Sequence, residues 1–194
     1  MSRLIRLATV LLMLFAVGCA HSINITPAAG SIDTSGVSRI NKNVGYYISP
    51  EDLARAVVTG AGGGDKVTYF PYKESEPVLK QVLLNTFGEV HALKSLGDSE
   101  FIASKNISFI FVPTITTDSS SRSSWIWPPS DFIVSLNCRA TDPLGGVVWE
   151  AKVTGEAHMR LPDVARDHSL AGKEAIKNAF FELQQKILSV EAFR

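Results

Sequence analysis

The sequence predicts an α+β fold: a mostly antiparallel sheet of about four or five strands, with helices packed on one face and a long C-terminal helix. Three observations predict this class. Residues 107–156 hold three long β-prone runs, and the last two are joined by a short turn. Residues 74–87 and 164–190 repeat apolar positions at helical spacing. The order of these helices and strands implies a layer of helices against a layer of sheet.

The N-terminus has the features of a secretory signal. Arg3 and Arg6 give a positive start, residues 7–17 are apolar apart from Thr9, and small residues lead into Cys19. The apolar run is shorter than the roughly 20 residues that a membrane span needs. The segment resembles a bacterial lipoprotein signal, which implies removal of residues 1–18 and lipidation of Cys19. An ordinary secretory signal and an uncleaved anchor are the alternatives.

Charge and composition limit the function classes. Removal of residues 1–18 from the 194-residue chain leaves 176 residues, enough for one domain with a hydrophobic core. The signal holds two of the 19 basic residues and no acidic residue, so 17 basic and 19 acidic residues give the remainder a net charge of −2. A chain of this charge without a basic run is not expected to bind nucleic acid.

Residues 19–43 are predicted to form a lipidated N-terminus and a flexible tether. The segment is rich in Ala, Gly, Ser and Thr and has no sustained periodicity. A single α+β domain is predicted to occupy residues 44–194, and its first strand is the aromatic run 44–48. Ser49 is a natural N-cap and Pro50 suits the first helical position, so a helix is predicted from Pro50 to about residue 58.

The glycine-rich segment 60–65 is interpreted as a mobile surface loop. A phosphate-binding loop ends in Gly-Lys-Ser/Thr before a helix, whereas here Asp65 precedes Lys66 and a β-prone run follows. Surface loops with this composition are commonly mobile.

The remaining elements follow from periodicity and turn residues. Residues 107–115 are apolar on both faces, which predicts a central strand, and residues 118–124 form a polar serine-rich loop. Cys138 lies on the apolar face of a predicted strand and is interpreted as a buried small hydrophobe. The other predicted elements are an extended piece at 67–72, a helix at 74–87, a strand at 90–93, a hairpin of strands at 131–141 and 147–156, and a helix at 164–190.

No motif names a reaction, so the chain is not predicted to be an enzyme and no metal or cofactor is predicted. The four histidines show no paired ligand spacing, and the serine run has no Gly-x-Ser-x-Gly elbow. Asp131, Glu150 and Glu156 are carboxylates that could converge, which leaves a periplasmic hydrolase as an alternative.

Aromatic residues are concentrated near predicted loops and strand ends. Aromatic side chains at surface loops are enriched in binding sites, but they also cap the core of a sheet, and both interpretations stay open. Residues 125–129 are the best single contact segment, because a serine loop directly precedes them; they could instead insert at a bilayer interface, where Trp is favoured. The predicted partner-binding residues are Trp125, Ile126, Trp127, Tyr69 and Tyr72.

The element order over residues 44–190 resembles the compact domain of several envelope lipoproteins: the YajG type, the curli-secretion lipoprotein and the peptidoglycan-synthase activators. Such families act as scaffolds, regulators or secretion-pore subunits. The resemblance implies a non-catalytic accessory protein with a membrane anchor and an envelope protein partner. Ala20 follows Cys19 where an Asp typically retains lipoproteins at the inner membrane, which implies the periplasmic side of the outer membrane. A self-assembling homo-oligomeric subunit is the alternative.

Overall fold

The computed structural model describes residues 20–32 and 39–194. The predicted signal, Cys19 and the part of the predicted tether at 33–38 lie outside the described residues. Within the described ranges there are eight strands and five α-helices. The strands are β1 (Ala20–Ser22), β2 (Ile40–Tyr46), β3 (Val57–Gly60), β4 (Lys66–Tyr69), β5 (Phe87–Ala92), β6 (Ile107–Ser120), β7 (Asp131–Thr141) and β8 (Val147–His158). The helices are α1 (Pro50–Ala54), α2 (Pro71–Thr86), α3 (Ser99–Ser104), α4 (Leu161–Arg166) and α5 (Leu170–Leu188).

The α+β fold class is confirmed, with a five-stranded main sheet and a long C-terminal helix. The strand order is β5-β2-β6-β7-β8; β6, β7 and β8 are antiparallel, and β2 is parallel to both β5 and β6. The main sheet is therefore mixed, with two parallel and two antiparallel pairs. A second sheet of three strands, in the order β1-β4-β3, was not predicted.

The β7 strand shows why the central part of the fold was predictable. Its residues alternate, and the inward face from Phe132 to Ala140 is fully buried. Cys138 belongs to this face, as predicted, and burial raises the pKa of its thiol to about 12. Helices α5 and α2 cover this face of the sheet, as predicted. The short helix α3 lies on the opposite face, where Ile102 packs against Ile110 in a separate small cluster.

The predicted helix at 164–190 is two helices. Helix α4 ends at Arg166 and α5 begins at Leu170. Between them the Asp167 carboxylate accepts a hydrogen bond from the Ser169 backbone N–H at 3.0 Å. It also forms an ion pair with the Lys173 ammonium group at 2.7 Å. A short side chain that bonds its own backbone two residues on offers an alternative to the helix, which explains the break.

The N-cap at Ser49 is confirmed, since its side chain accepts the Asp52 N–H at 3.0 Å. The helix is shorter than predicted, because α1 ends at Ala54. Residues 57–60 instead pair with β4 in antiparallel register. Two valines and a threonine in this segment prefer the pleated conformation, and β4 provides the partner strand.

The described part of the predicted tether is ordered and partly buried, which differs from the flexible segment expected there. Residues 20–22 form β1, and Ile23 and Ile25 lie in the main core. The Ile25 N–H donates to the Glu74 carboxylate at 3.0 Å, and a Cβ at Gly172 of α5 would overlap the Ile25 side chain. The segment is bound because α2 provides a carboxylate acceptor for the Ile25 backbone N–H, and α5 leaves space at Gly172 for the Ile25 side chain.

Candidate functional site

One end of the small sheet brings together residues from three parts of the chain. Ala20 of β1 and Gly60 of β3 are both in register with Lys66 of β4. The residue that precedes Ala20 is Cys19, so the chain leaves the described structure at this end. We call it the anchor end of the small sheet.

A loop of defined conformation lies against the anchor end. We call residues 121–129 the tryptophan loop. The hydroxyl of Ser123 accepts hydrogen bonds from the N–H groups of Trp125 and Ile126, both at 3.1 Å, and the Ser121 hydroxyl donates to the Ile126 carbonyl at 3.1 Å. The serines that precede the tryptophans therefore fold the loop on itself.

The glycine-rich turn at the anchor end holds the tryptophan loop in place. The Gly62 N–H donates to the Trp127 carbonyl at 3.0 Å, and Gly62 is buried. A Cβ at Gly62 would overlap the Ile126 carbonyl oxygen. The interpretation of 60–65 as a mobile surface loop is thus wrong for Gly62, whose lack of a side chain permits close contact between two backbones.

The two tryptophans of the loop have opposite environments. The Trp127 ring is half-buried and stacks on the His21 ring, with centroids 3.9 Å apart and an interplanar angle of 15°. His168 meets the same indole edge-on at 4.6 Å. Trp125 is 94% exposed, and Ile126 is half-buried. Of the predicted contact residues in this loop, Trp125 alone presents its whole side chain to the surroundings.

Tyr69 and Tyr72 are not on this surface, so their predicted role in partner binding is corrected. Both are buried in the main core. The Tyr69 hydroxyl donates to Thr117 at 2.9 Å, and burial raises the pKa of this phenol. The Tyr72 hydroxyl accepts the Ile115 backbone N–H at 3.0 Å. Both tyrosines join β4 and α2 to β6, because each buried hydroxyl finds a partner on that strand.

A polar cluster lies where the tryptophan loop enters β7. Asp131 accepts from His158 at 2.6 Å, from Ser130 at 2.7 Å and from Arg122 at 2.9 Å. Partial burial opposes ionisation of Asp131, but these three hydrogen bonds outweigh it and hold the pKa of the carboxyl below its usual value. Ser130 bonds the carboxylate and not the imidazole, so the cluster lacks the nucleophile–base contact of a hydrolytic triad.

The carboxylates considered for hydrolysis do not converge as a set. Asp131 on β7 lies opposite His158 on β8, whereas Glu150 lies opposite Arg139. Glu150 is eight residues from His158 along β8, which is about 26 Å at roughly 3.3 Å per residue. Glu156 lies near Asp131 and contacts His158 at 3.8 Å. Among the described residues, no group of three or more His, Cys, Asp or Glu side chains is arranged to hold a metal ion.

The opposite end of the main sheet carries a second apolar feature. The turn between β7 and β8 exposes Leu144 almost completely. Beside it is a groove of about 290 Å³ whose lining includes Leu96, Val112 and Arg139. No helix in the described ranges is long and apolar enough to cross a membrane.

No known protein-family profile matches the chain, and no curated protein matches it in sequence. Solved structures do share its fold. Protein XCC0632 from Xanthomonas campestris, of family DUF330, superposes with a TM-score of 0.54 at 12% identity, over 88% of this chain and 95% of that one.

Two further structures superpose less closely. The PelC dodecamer from Paraburkholderia phytofirmans gives a TM-score of 0.45 at 15% identity, over 76% of this chain and 91% of that one. A candidate lipoprotein from Caulobacter crescentus gives 0.36 at 10% identity, over 59% of this chain and 78% of that one. The Xanthomonas structure thus shares the fold of this chain.

Sequence reasoning found the tryptophan loop, but residues 118–120 of the predicted serine-rich loop belong to β6, and the residues that position the loop were missed. His21 contacts Trp127 only after β1 has paired with β4. Gly62 meets the loop only because the Gly60–Lys66 turn folds under it. No local pattern marks either residue, since each contact joins distant parts of the chain.

Proposed function

We propose that this chain is a lipid-anchored, non-catalytic accessory component of an envelope complex, attached through Cys19 and facing the periplasm from the outer membrane. The observation that carries the proposal is the continuity between the lipoprotein-type signal and the fold. Ala20, the first residue after Cys19, is already paired with Lys66 in the small sheet. An acylated Cys19 would therefore bind the domain itself closely to the bilayer, with no free linker between them.

The accessory role is supported by the environments of the candidate reactive side chains among the described residues. The thiol of Cys138 is fully buried with its pKa raised to about 12, so it is not available as a nucleophile. Asp131 is fully engaged by Arg122, Ser130 and His158. The exposed Trp125 is of a residue type that is enriched at contact surfaces.

Lipidation is tested by metabolic labelling with an alkyne fatty acid in a Gram-negative host. The wild-type chain and Cys138→Ala are expected to carry the label, and Cys19→Ser is expected to carry none. The labelled protein is expected in the outer-membrane fraction after density centrifugation. Absence of label from the wild-type chain would reject the anchor.

The accessory role is tested separately, with a photo-crosslinking amino acid placed at position 144 in the lipidated protein. A specific heteromeric adduct supports an envelope partner. Turnover of a peptidoglycan or polysaccharide substrate by the purified protein, abolished by Asp131→Asn, would support the hydrolase alternative.

A self-assembling subunit is the second candidate, and the edges of the main sheet favour it. In the described residues, β5 and β8 each pair with one strand only, so both leave backbone groups free for another chain. The two edges differ in sequence, and a contact between unlike surfaces gives a ring where the rotation closes and an open filament where it does not, rather than a two-fold dimer. Sedimentation of the lipidated protein in detergent tests this; a monomer at all concentrations would reject it.

A further inference from the structure

We propose that the tryptophan loop is a second membrane contact, in which Trp125 enters the headgroup layer of the bilayer that holds the acylated Cys19. The inference rests on the proposed lipid anchor and specifies its geometry. It also replaces the role of Trp125 in binding a protein partner with a role in binding a lipid surface.

The first argument is the short distance between the anchor and the loop. His21 stacks on Trp127 with ring centroids 3.9 Å apart. Two residues span at most about 7 Å, so the α-carbon of Cys19 lies within about 7 Å of that of His21. The same limit applies to Trp125 and Trp127. The exposed indole and the predicted acyl chains therefore belong to the same end of the molecule.

The second argument is the stiffness of the connection. β1 is paired with β4, and the Gly62 N–H is bonded to the Trp127 carbonyl, so the anchor and the loop are joined through one small sheet. The acyl chains fix the depth of Cys19 near the boundary between hydrocarbon and headgroups. The headgroup layer is roughly 5–8 Å thick on each side of the bilayer. The tryptophan loop is thereby held at the membrane-facing end of the domain, from which the exposed Trp125 side chain extends toward that layer.

The third argument is the chemistry of the exposed group. Trp is favoured at the membrane–water interface because its apolar rings carry one N–H donor. Trp125 is 94% exposed, and its backbone is fixed by the Ser123 hydroxyl, so little entropy remains to be lost when it binds. An exposed indole on a preorganised loop therefore suits insertion between lipid headgroups.

The charges around the loop indicate which lipid surface it fits. Arg122 is paired with Asp131 at 2.9 Å, and His21 with Asp65 at 3.3 Å. Because the charge of Arg122 is neutralised by Asp131, we infer that zwitterionic headgroups suffice. Added salt should weaken the contact little, since screening acts on unpaired surface charges.

The contact sets the orientation of the domain. An acyl anchor alone permits rotation about one point, whereas the anchor and Trp125 together define a line on the bilayer. The main sheet then extends away from the tryptophan loop, because β7 runs from Asp131 beside the loop to Thr141 beside the exposed turn of Leu144. Leu144 lies at the opposite end of β7 from the tryptophan loop and remains accessible to other molecules.

The test uses the full-length lipidated protein in phosphatidylcholine vesicles with bromine atoms near the top of the acyl chains, which quench nearby indoles. We expect quenching of the wild-type protein and loss of most of it in Trp125→Phe. Trp149→Phe is the matched control, because Trp149 packs against Phe193 in the core and should not contribute. Equal quenching of the wild type and Trp125→Phe would overturn the inference.

The N-terminal peptide of the same preparation is weighed by mass spectrometry, which separates two failures. An acylated protein without Trp125 quenching overturns the membrane contact and leaves the proposed anchor intact. A protein without acylation at Cys19 overturns both. A photo-crosslinker at position 125 that captures protein rather than lipid in cells would also overturn the contact.

Discussion

The imidazole of His21 lies flat on the indole of Trp127, with ring centroids 3.9 Å apart. This contact joins the first described strand to a loop from the second half of the chain. Its neighbours are the Asp65 carboxylate, 3.3 Å from His21, and the ring of His168, which meets Trp127 edge-on. The N-terminal segment is thereby fixed to the domain at its first residues as well as at Ile25.

Replacement of His21 should loosen this attachment without unfolding the domain. We expect His21→Ala to lower the free energy of unfolding by about 1 kcal/mol, the usual range for an aromatic pair. Limited proteolysis should then cleave within residues 20–32 faster than in the wild type. His21→Phe keeps the stacked ring and removes the contact with Asp65, so it should retain most of the protection; an equal effect of both changes would assign the role to the hydrogen bond with Asp65.

Gly62 should tolerate no side chain, because a Cβ there would overlap the Ile126 carbonyl oxygen. We expect Gly62→Ala to displace the tryptophan loop and to destabilise the protein by about 1–3 kcal/mol, as overpacking does elsewhere. Gly60→Ala is the matched control, since a Cβ there meets its nearest atom at 3.4 Å, an ordinary contact. Denaturant unfolding followed by Trp fluorescence checks both variants. Similar unfolding midpoints for the two would contradict a role for the close contact between Gly62 and the tryptophan loop.

Local signals account for the elements that could be predicted from the sequence. In the hairpin of β7 and β8 and in the helix α2, apolar residues recur at a regular period within one continuous segment. Strand alternation and helical spacing were therefore sufficient to predict these elements. The aromatic loop was recognisable for the same reason, because its residues are contiguous. The cap at Ser49 needed only its own side chain and the next turn of helix.

The small sheet and the ordered N-terminus could not be predicted, because their stabilisation is non-local. A three-residue strand such as β1 has no period to detect, and it exists through pairing with β4. Gly155 and Gly172 gave no signal either, although α5 packs closely on β8 and on Ile25 only because those positions lack a Cβ. Tyr69 and Tyr72 were placed on the surface because composition alone does not show which aromatic groups find buried partners.

Asp131 should stabilise the fold at neutral pH and lose that effect in acid. A carboxyl whose pKa is depressed by folding contributes stability above its unfolded pKa, near 3.8, and loses it as pH falls through the lower folded value. We expect Asp131→Asn to cost about 1–2 kcal/mol at neutral pH, since it weakens charge-assisted bonds from His158 and Arg122. The difference from wild type should shrink when urea unfolding is repeated in strong acid. A constant difference would contradict the linkage.

Glu74 should show the opposite pH dependence, in a different window. Burial raises the pKa of this carboxyl above 4.5, even though the Ile25 N–H bonds to it and Lys73 lies nearby. A group that binds its proton more tightly when folded adds stability fully below its unfolded pKa, and that stability is lost as pH rises through the folded pKa. Unfolding free energies measured above pH 4.5 should therefore fall with rising pH in the wild type. Glu74→Gln should remove this slope because an amide does not titrate, and its amide oxygen can still accept the Ile25 N–H.

Glu74→Ala separates the hydrogen bond from the charge. This variant also removes the pH-dependent slope, but it leaves the buried Ile25 N–H without its acceptor. We therefore expect Glu74→Ala to be about 1–3 kcal/mol less stable than Glu74→Gln at every pH, the cost of an unsatisfied buried donor. Faster amide exchange at Ile25 in the alanine variant alone would locate the loss. Equal stability of the two variants would mean that the apolar contacts of Ile25 with α5 suffice to hold the N-terminal segment in place.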